Sequence, residues 1–390
     1  MEVPLLDLKA QYAAIRDEIQ AAVAAVFESQ QFIMGPNVSA LEEEIARLCG
    51  VPYAVGVASG TDALLLSLKA LGVGPGDAVI TVPFTFFATA GAIVNLGARP
   101  LFVDIEGSSC TMDHERLAAL LEHECRFDPG SGALVHRPTG ATVKAVVPVH
   151  LYGQCADMDE ILELAQRYRL AVVEDACQAI GARYRDKAAG SLGDAGCFSF
   201  FPTKNLGGAG DGGMVVTSSR NLAQQVRLLR VHGSQPKYFH SVVGFNSRLD
   251  EVQAAVLRVK LKYLEEWIEA RRDHAAGYGQ GFDAAGLLPR IAAPVIRPHR
   301  THTFHQYVIR TPERDRLRTY LQSRGIGTEI YYPLALHQQE CFRRLGYDAS
   351  AFPQARAAAE EVLALPVYPE LTREQRDYVV ACIADFHAGA

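Results

Sequence analysis

Residues Gly196–Thr217 read GCFSFFPTKNLGGAGDGGMVVT, and the order of residue types in this stretch limits the folds open to the chain. Gly196–Phe200 is an apolar, aromatic run of strand character, a glycine-dense loop follows it, and the β-branched run Met214–Thr217 closes the segment. Lys204 lies between the two runs. A lysine amine attacks carbonyl carbon readily only where desolvation or nearby cations lower its pKa. Lys204 is therefore either such a nucleophile or a lysine whose stem snorkels from a loop. The segment also carries a formal G-x-G-x-x-G match at Gly208, Gly210 and Gly213. A dinucleotide fingerprint follows a strand and opens a helix. Here the glycines run straight into a strand, which is the wrong order for a nicotinamide fold.

Outward from this segment, short β-branched runs alternate with amphipathic helical patterns from Val51 onward, the sequence form of a mainly parallel sheet covered by helices. The expected strands are Ala54–Val57, Ala78–Val82, Pro100–Val103, Ala145–Val149, Leu170–Val173, Gly196–Phe200 and Met214–Thr217. Between them Asp62–Leu71, Ala88–Leu96, Asp159–Arg169 and Asn221–Leu229 have apolar positions three and four apart. One long helix is expected from Leu249 to about Gly277, since no proline interrupts it. Beyond it the pattern gives a strand at Gln306–Arg310, helices at Pro312–Arg324 and Ala351–Leu363, and a last helix, Thr372–Phe386, with Thr372 as N-cap. Glu124–Thr142, rich in Gly, Pro and charge, has no clear period and reads as a surface insertion. The expected organisation is a large α/β domain with an N-terminal helix over 1–250, then a bridging helix and a small α+β domain over 251–390.

Composition narrows the function classes. Of 390 residues, 49% are hydrophobic and 21% charged, the balance of a globular enzyme rather than a disordered chain. A net charge of −6, with no basic run, argues against general affinity for nucleic acid or anionic membranes. The cysteines, at 49, 110, 125, 155, 177, 197, 341 and 382, form no C-x-x-C ligand pair and are expected to be mostly reduced core residues. No segment is apolar over the roughly 20 residues a membrane span needs, and Met1–Lys9 lacks a leader pattern, so a cytoplasmic protein is expected.

Three further stretches carry candidate chemistry. At Val57–Ala63 a strand turns through Gly60 into a helix near Thr61, presenting backbone N–H groups to an anion such as phosphate, or else merely capping the helix with Ser59 or Thr61. At Val172–Gln178 an apolar strand delivers Glu174 and Asp175 at its C-terminal end, where parallel sheets place ligands. Asp175 could hold a pyridine nitrogen protonated and make the ring an electron sink, or it could cap a helix. At Val82–Thr89 an aromatic residue could stack on a flat ring or belong to the core. The triple His299, His302 and His305 has a spacing that suggests a metal, but no carboxylate or thiolate accompanies it, and no metal is expected.

Taken in order, these segments resemble the sugar aminotransferases of the DegT/DnrJ/EryC1/StrS family. Pro148–Gln154 is similar to the family's H-x-Y-G segment, Gly244–Leu249 to its G-x-N-x-R segment and Tyr331–His337 to its Y-Y-P…H segment. The resemblance covers nearly the whole chain. It implies the fold-type I architecture, pyridoxal 5'-phosphate (PLP) as cofactor, and a homodimer with shared active sites. It makes Lys204 the Schiff-base lysine, Asp175 the partner of the pyridine nitrogen, Gln178 the neighbour of the ring hydroxyl and Phe86 the stacking aromatic. Gly60, Thr61 and Ser199 form the implied phosphate cradle, with Asn246 reaching it from the neighbouring subunit. His232, Lys237, Tyr238, Tyr332 and His337 are the expected substrate contacts. The implied reaction moves an amino group from glutamate to a nucleotide-linked keto sugar. Arg230–Gly244, RVHGSQPKYFHSVVG, looks more like members that aminate C3 of a hexose than C4. Two features depart from the family pattern: Asp211 stands where Glu is commoner, and the 124–142 insertion is long, so that it could shape the sugar pocket. A PLP-dependent dehydratase or lyase, an aminocyclitol aminotransferase and a non-catalytic regulator are the competing readings.

Overall fold

The computed structural model describes residues 1–288 and 290–389. All seven expected strands form and line up in the order Tyr53–Val57, Gly213–Thr217, Ala195–Ser199, Ala171–Asp175, Thr142–Val146, Asp77–Thr81, Arg99–Phe102. Six run in one direction; only Gly213–Thr217, antiparallel to both neighbours, opposes them. The apolar runs are continuous because both faces of the sheet are covered. Val55, Val79, Val173 and Val215 pack on one face with Leu64, Ile93 and Val226 of the helices Gly60–Ala70, Ala88–Asn95 and Arg220–Leu229. Their strand neighbours Ala54, Ile80, Val172 and Val216 pack on the other with Leu41, Ile161 and Leu257 of Pro36–Cys49, Met158–Tyr168 and Glu251–Leu261. The alternation is the period-two geometry of a strand.

The structure corrects three sequence expectations. The long helix from Leu249 is two, Glu251–Leu261 and Leu264–Ala284. At the break Lys262 and Tyr263 donate their N–H groups three residues back, to Val259 and Lys260, which tightens the turn. There the Tyr263 hydroxyl bonds to Glu18 and its ring stacks on Trp267, so a tertiary contact bends a segment that holds no proline. The expected helix Ala351–Leu363 stops at Glu361, and Val362–Leu365 becomes a strand paired with Tyr307–Arg310. The stretch read as an irregular insertion is a β-hairpin, Cys125–Asp128 with Ala133–His136, which extends the main sheet by pairing with Thr142 and Val143. Those residues begin their strand, so the hairpin lies at the edge of the sheet opposite the strand ends that carry Asp175 and Ser199, and it does not line the cleft described below.

The C-terminal elements share a separate core around Tyr278, Phe282, Tyr307, Leu317, Leu363 and Ile383. Val3 joins this core and bridges to Ile326, so the chain's start is fastened to its C-terminal part. Thr372 caps the last helix through a full capping box with Gln375. None of the cysteines is bridged; all are buried except Cys177, which is partly so, and the exposed Cys341. No described helix is long and apolar enough to cross a membrane.

Candidate active site

The parallel strands end along one edge of the sheet, where a cleft of about 510 Å³ opens. Its wall takes Ser59, Gly60 and Thr61 from the first strand–helix turn, Phe86 from the next, Asp175 from the end of the Ala171–Asp175 strand and Gln178 from the turn after it, Ser199 from the end of Ala195–Ser199 and Lys204 from the loop that follows. Tyr332 closes it from the C-terminal part. Most residues singled out in the sequence are thus brought to one place.

Each is fixed by local chemistry. The Ser59 hydroxyl accepts from Asp62 N–H at 3.1 Å and caps the Gly60–Ala70 helix, which leaves the helix N-terminus facing the cleft. Gly60 is required: a Cβ there would lie 2.6 Å from that of Ser199. A Cβ on Gly213 would lie 2.3 Å from the Ser59 carbonyl oxygen, so the glycine loop of the quoted segment serves close backbone packing under this turn. Asp175, 6% exposed, accepts from Thr89 Oγ1 at 2.7 Å and from Cys177 N–H at 3.3 Å. Gln178 accepts from Tyr152 N–H at 2.8 Å and donates to the Tyr332 hydroxyl at 3.0 Å, so the H-x-Y-G segment holds it. Burial raises the Tyr332 phenol well above its usual pKa, leaving it a neutral hydrogen-bonding group.

Lys204 sits in a turn whose N–H bonds to the Phe201 carbonyl. The neighbouring Asn205 is buried and donates to Thr303 O at 2.9 Å, which anchors the turn. Burial pulls the Lys204 amine below its usual pKa, against the opposing pull of Cys177 and Asp175. Its nearest polar partner is His305 Nε2, at 3.4 Å. His305 is itself held well below its usual range, first by burial and then by Lys204 and Arg271.

Other expected residues stand elsewhere. His232, Lys237, Tyr238 and Asn246 are exposed and do not line this chain's cleft. His337 is buried, its ring 4.9 Å from that of Phe352 and its Nε2 facing Ala349 O at 3.4 Å, so it is packed away from the cleft. The histidine triple is dispersed in role: His302 Nδ1 accepts from Phe304 N–H at 2.9 Å, while His305 faces Lys204. Among the described residues no group of three or more His, Cys, Asp or Glu could hold a metal.

Sequence reading missed Thr89, Tyr152 and His305. Thr89 was within a quoted stretch, but nothing in its spacing shows that one helical turn carries it to Asp175. Buried Glu174 is a different case: it accepts from His150 Nε2 and from the N–H groups of Gly190, Leu192 and Gly193 at 2.6–2.8 Å. It is therefore an anchor for the loop before the quoted segment and is fully committed to it.

The site fits PLP in the chemistry of its donors. It offers a helix N-terminus with small residues for a phosphate, a buried carboxylate for a ring nitrogen, an aromatic face and a neutral-prone lysine. Comparison with known proteins agrees. The profile of the DegT/DnrJ/EryC1/StrS aminotransferase family matches residues 13–384. The chain is 47% identical over 388 residues to a pleiotropic regulatory protein of Geobacillus stearothermophilus, covering 99% of each chain. It is 44% identical to a UDP-N-acetyl-3-dehydro-alpha-D-glucosamine 3-aminotransferase of Acidithiobacillus ferrooxidans, covering 96% of this chain and 95% of that one. The S. venezuelae protein DesV, solved with a ketimine intermediate, superposes with a TM-score of 0.91 at 41% identity, over 99% of this chain and 98% of that one. The chain belongs to the DegT/DnrJ/EryC1/StrS aminotransferase family and is a PLP-dependent, fold-type I aminotransferase.

Proposed function

We propose that the protein transfers an amino group from glutamate to C3 of a nucleotide-linked 3-keto hexose, with Lys204 as the residue that holds the cofactor covalently. The observation that carries this reading is the buried, pKa-lowered Lys204 amine sharing one cleft with Asp175, Gly60, Thr61 and Ser199. PLP, when bound, withdraws electrons from the substrate carbon and so acidifies its C–H bond. Asp175 keeps the ring nitrogen protonated, and Thr89 holds the carboxylate in place for that task. Gly60, Thr61 and Ser199 bind the phosphate, Phe86 covers the ring face, and Gln178 meets the ring hydroxyl. Lys204, whose amine burial pulls below its usual pKa, would take the proton from the donor carbon and return it on the cofactor side. The amino group leaves glutamate in one half-reaction and joins the keto sugar in the other, which gives ping-pong kinetics.

The C3 assignment rests on the Arg230–Gly244 pattern and on the 3-aminotransferase named among the relatives. A homodimer is part of the proposal: Asn246 completes the phosphate cradle of the neighbouring subunit, and His232, Lys237 and Tyr238 reach its sugar site from the same exposed loop. His337, packed against Phe352, is assigned no substrate contact. The division near residue 250 and a cytoplasmic location complete the reading.

Borohydride reduction of the PLP-loaded protein, followed by peptide mass mapping, is expected to place the adduct on Lys204. Glutamate alone should then convert the bound cofactor to its pyridoxamine form, and a UDP- or dTDP-linked 3-keto hexose should restore it. An adduct without conversion by glutamate would favour the lyase reading. Failure to form an adduct at all would favour a regulatory role, the function named for one relative.

A further inference from the structure

Behind the lysine lies a second, smaller chamber of about 110 Å³, walled by Leu5, Leu6, Arg271, Leu365 and Val367. Thr203, His305, Gln306 and Tyr331 line both this chamber and the main cleft, and so form the partition between them. Three side-chain atoms of its lining, His305 Nδ1, Gln306 Oε1 and Arg271 Nε, have no protein partner among the described residues. The residues are 9%, 9% and 3% exposed. An unsatisfied buried polar atom costs about 1–3 kcal/mol, and three around one chamber call for a small polar occupant.

The chemistry of the three selects it. Arg271 Nε is a donor, Gln306 Oε1 an acceptor, and His305 Nδ1 either, according to tautomer. An anion would face the lone pairs of Gln306, while Arg271 Nη1 is already committed to the carbonyls of Phe304 and Val367, at 3.1 and 2.7 Å. Water can accept from two donors and give to one acceptor, and the volume suits about three molecules at roughly 30 Å³ each. On the cleft side, His305 Nε2 is 3.4 Å from Lys204 Nζ.

We propose that the chamber is a bound-water site that fixes His305 as its Nδ1–H tautomer, and that His305 is thereby the positioning residue of Lys204. Water accepts the Nδ1–H, so Nε2 presents a lone pair to the partition. Lys204 donates one amine N–H to it, which orients the amine and leaves its own lone pair free on the cleft side. No proton is gained or lost; the device sets direction. Its place in catalysis rests on the reading of Lys204 given above, but the water and the tautomer are measured independently of it.

Two measurements test this directly on the protein loaded with pyridoxamine phosphate, in which the Lys204 amine is free. A high-resolution crystal structure is expected to show water within hydrogen-bonding distance of His305 Nδ1, Gln306 Oε1 and Arg271 Nε. Nitrogen-15 NMR of imidazole-labelled protein, with the signal assigned through His305→Asn, is expected to show a neutral Nδ1–H ring that does not titrate through neutral pH. An empty chamber, an anion in it, or an Nε2–H ring overturns the proposal. Function is read from capture of PLP by the apo-protein. Leu5→Phe, which fills the chamber while sparing the partition, should disturb the tautomer and slow capture several-fold without weakening final binding. His305→Gln, which keeps an acceptor near Nζ, should retain more of the capture rate than His305→Leu; equal rates in both would also overturn it.

Discussion

The Lys204–Asp175 cleft and the loop from His232 to Asn246 divide the expected site residues between them, and they differ in how they are held. In the cleft the groups expected around the cofactor ring have partners within the chain: Thr89 for Asp175, Tyr152 and Tyr332 for Gln178, His305 for Lys204. In the loop Tyr238, Phe239 and Val243 are 78%, 70% and 89% exposed. Apolar side chains gathered in one exposed segment mark a surface that another body covers. One region is held by partners within its own chain; the other has none there, and under the proposed homodimer it would meet the cleft of a second copy.

The largest expected effect breaks the first region. Lys204→Ala would remove the proposed covalent attachment and base together, and should lower turnover by about 10³-fold or more, read in a coupled glutamate assay. In the unaltered apo-protein the rate of PLP capture should rise with pH as the amine loses its proton, and level off below 10.5, the ordinary lysine value, because burial favours the neutral form. A plateau at or above 10.5 would contradict the assigned environment. Asp175→Asn comes next, with a loss of about 10²–10³-fold and with PLP still attached to Lys204 by mass mapping.

The same contrast explains what was legible in the sequence. The strands and the Gly60, Asp175 and Lys204 positions were readable because each sits close to a strand end, and strand ends are announced by β-branched runs, whereas Ser199 entered only through the family resemblance. The partners of those residues were not. Thr89 reaches Asp175 across 86 positions and Tyr332 reaches Gln178 across 154, distances that no local pattern encodes. The hairpin at 125–136 was hidden for another reason: its strands, CRFD and ALVH, are only four residues each around a Pro-Gly-Ser-Gly turn, too short to set a period of two. His305 was noticed for its spacing from His299 and His302, yet its role follows from Lys204, 101 residues away.

A sharper test of the comparison changes the loop alone. Phe239→Asp with Val243→Asp places charge on the exposed apolar surface, and should raise the dimer dissociation constant by about 30-fold, equivalent to ~2 kcal/mol. Sedimentation should then show monomer at concentrations where the unaltered protein is dimeric, and activity should recover as protein concentration rises. A monomeric unaltered protein with full activity would remove the need for the loop. Thr89→Val acts on the cleft's internal support instead. It leaves Asp175 Oδ2 without its 2.7 Å donor, which should cost about 1–2 kcal/mol of stability and lower kcat while leaving the KM for sugar unchanged.

The smallest effect belongs to a third place, the hairpin, and its smallness is the point. Ser131 Oγ donates to Asp128 Oδ2 at 2.7 Å in the exposed turn between the two hairpin strands. Ser131→Ala removes that bond where water replaces it, so the change in stability should stay within about 0.5 kcal/mol. Thr142 and Val143 tie the hairpin to the beginning of a strand whose other end leads toward the cleft, so no side chain of the turn lies within reach of a sugar bound beside Lys204 in the same chain. The KM for a nucleotide keto sugar should therefore be unchanged. A raised KM at unaltered stability would mean that the turn meets substrate from a neighbouring subunit, and would move the hairpin into the class of the exposed loop.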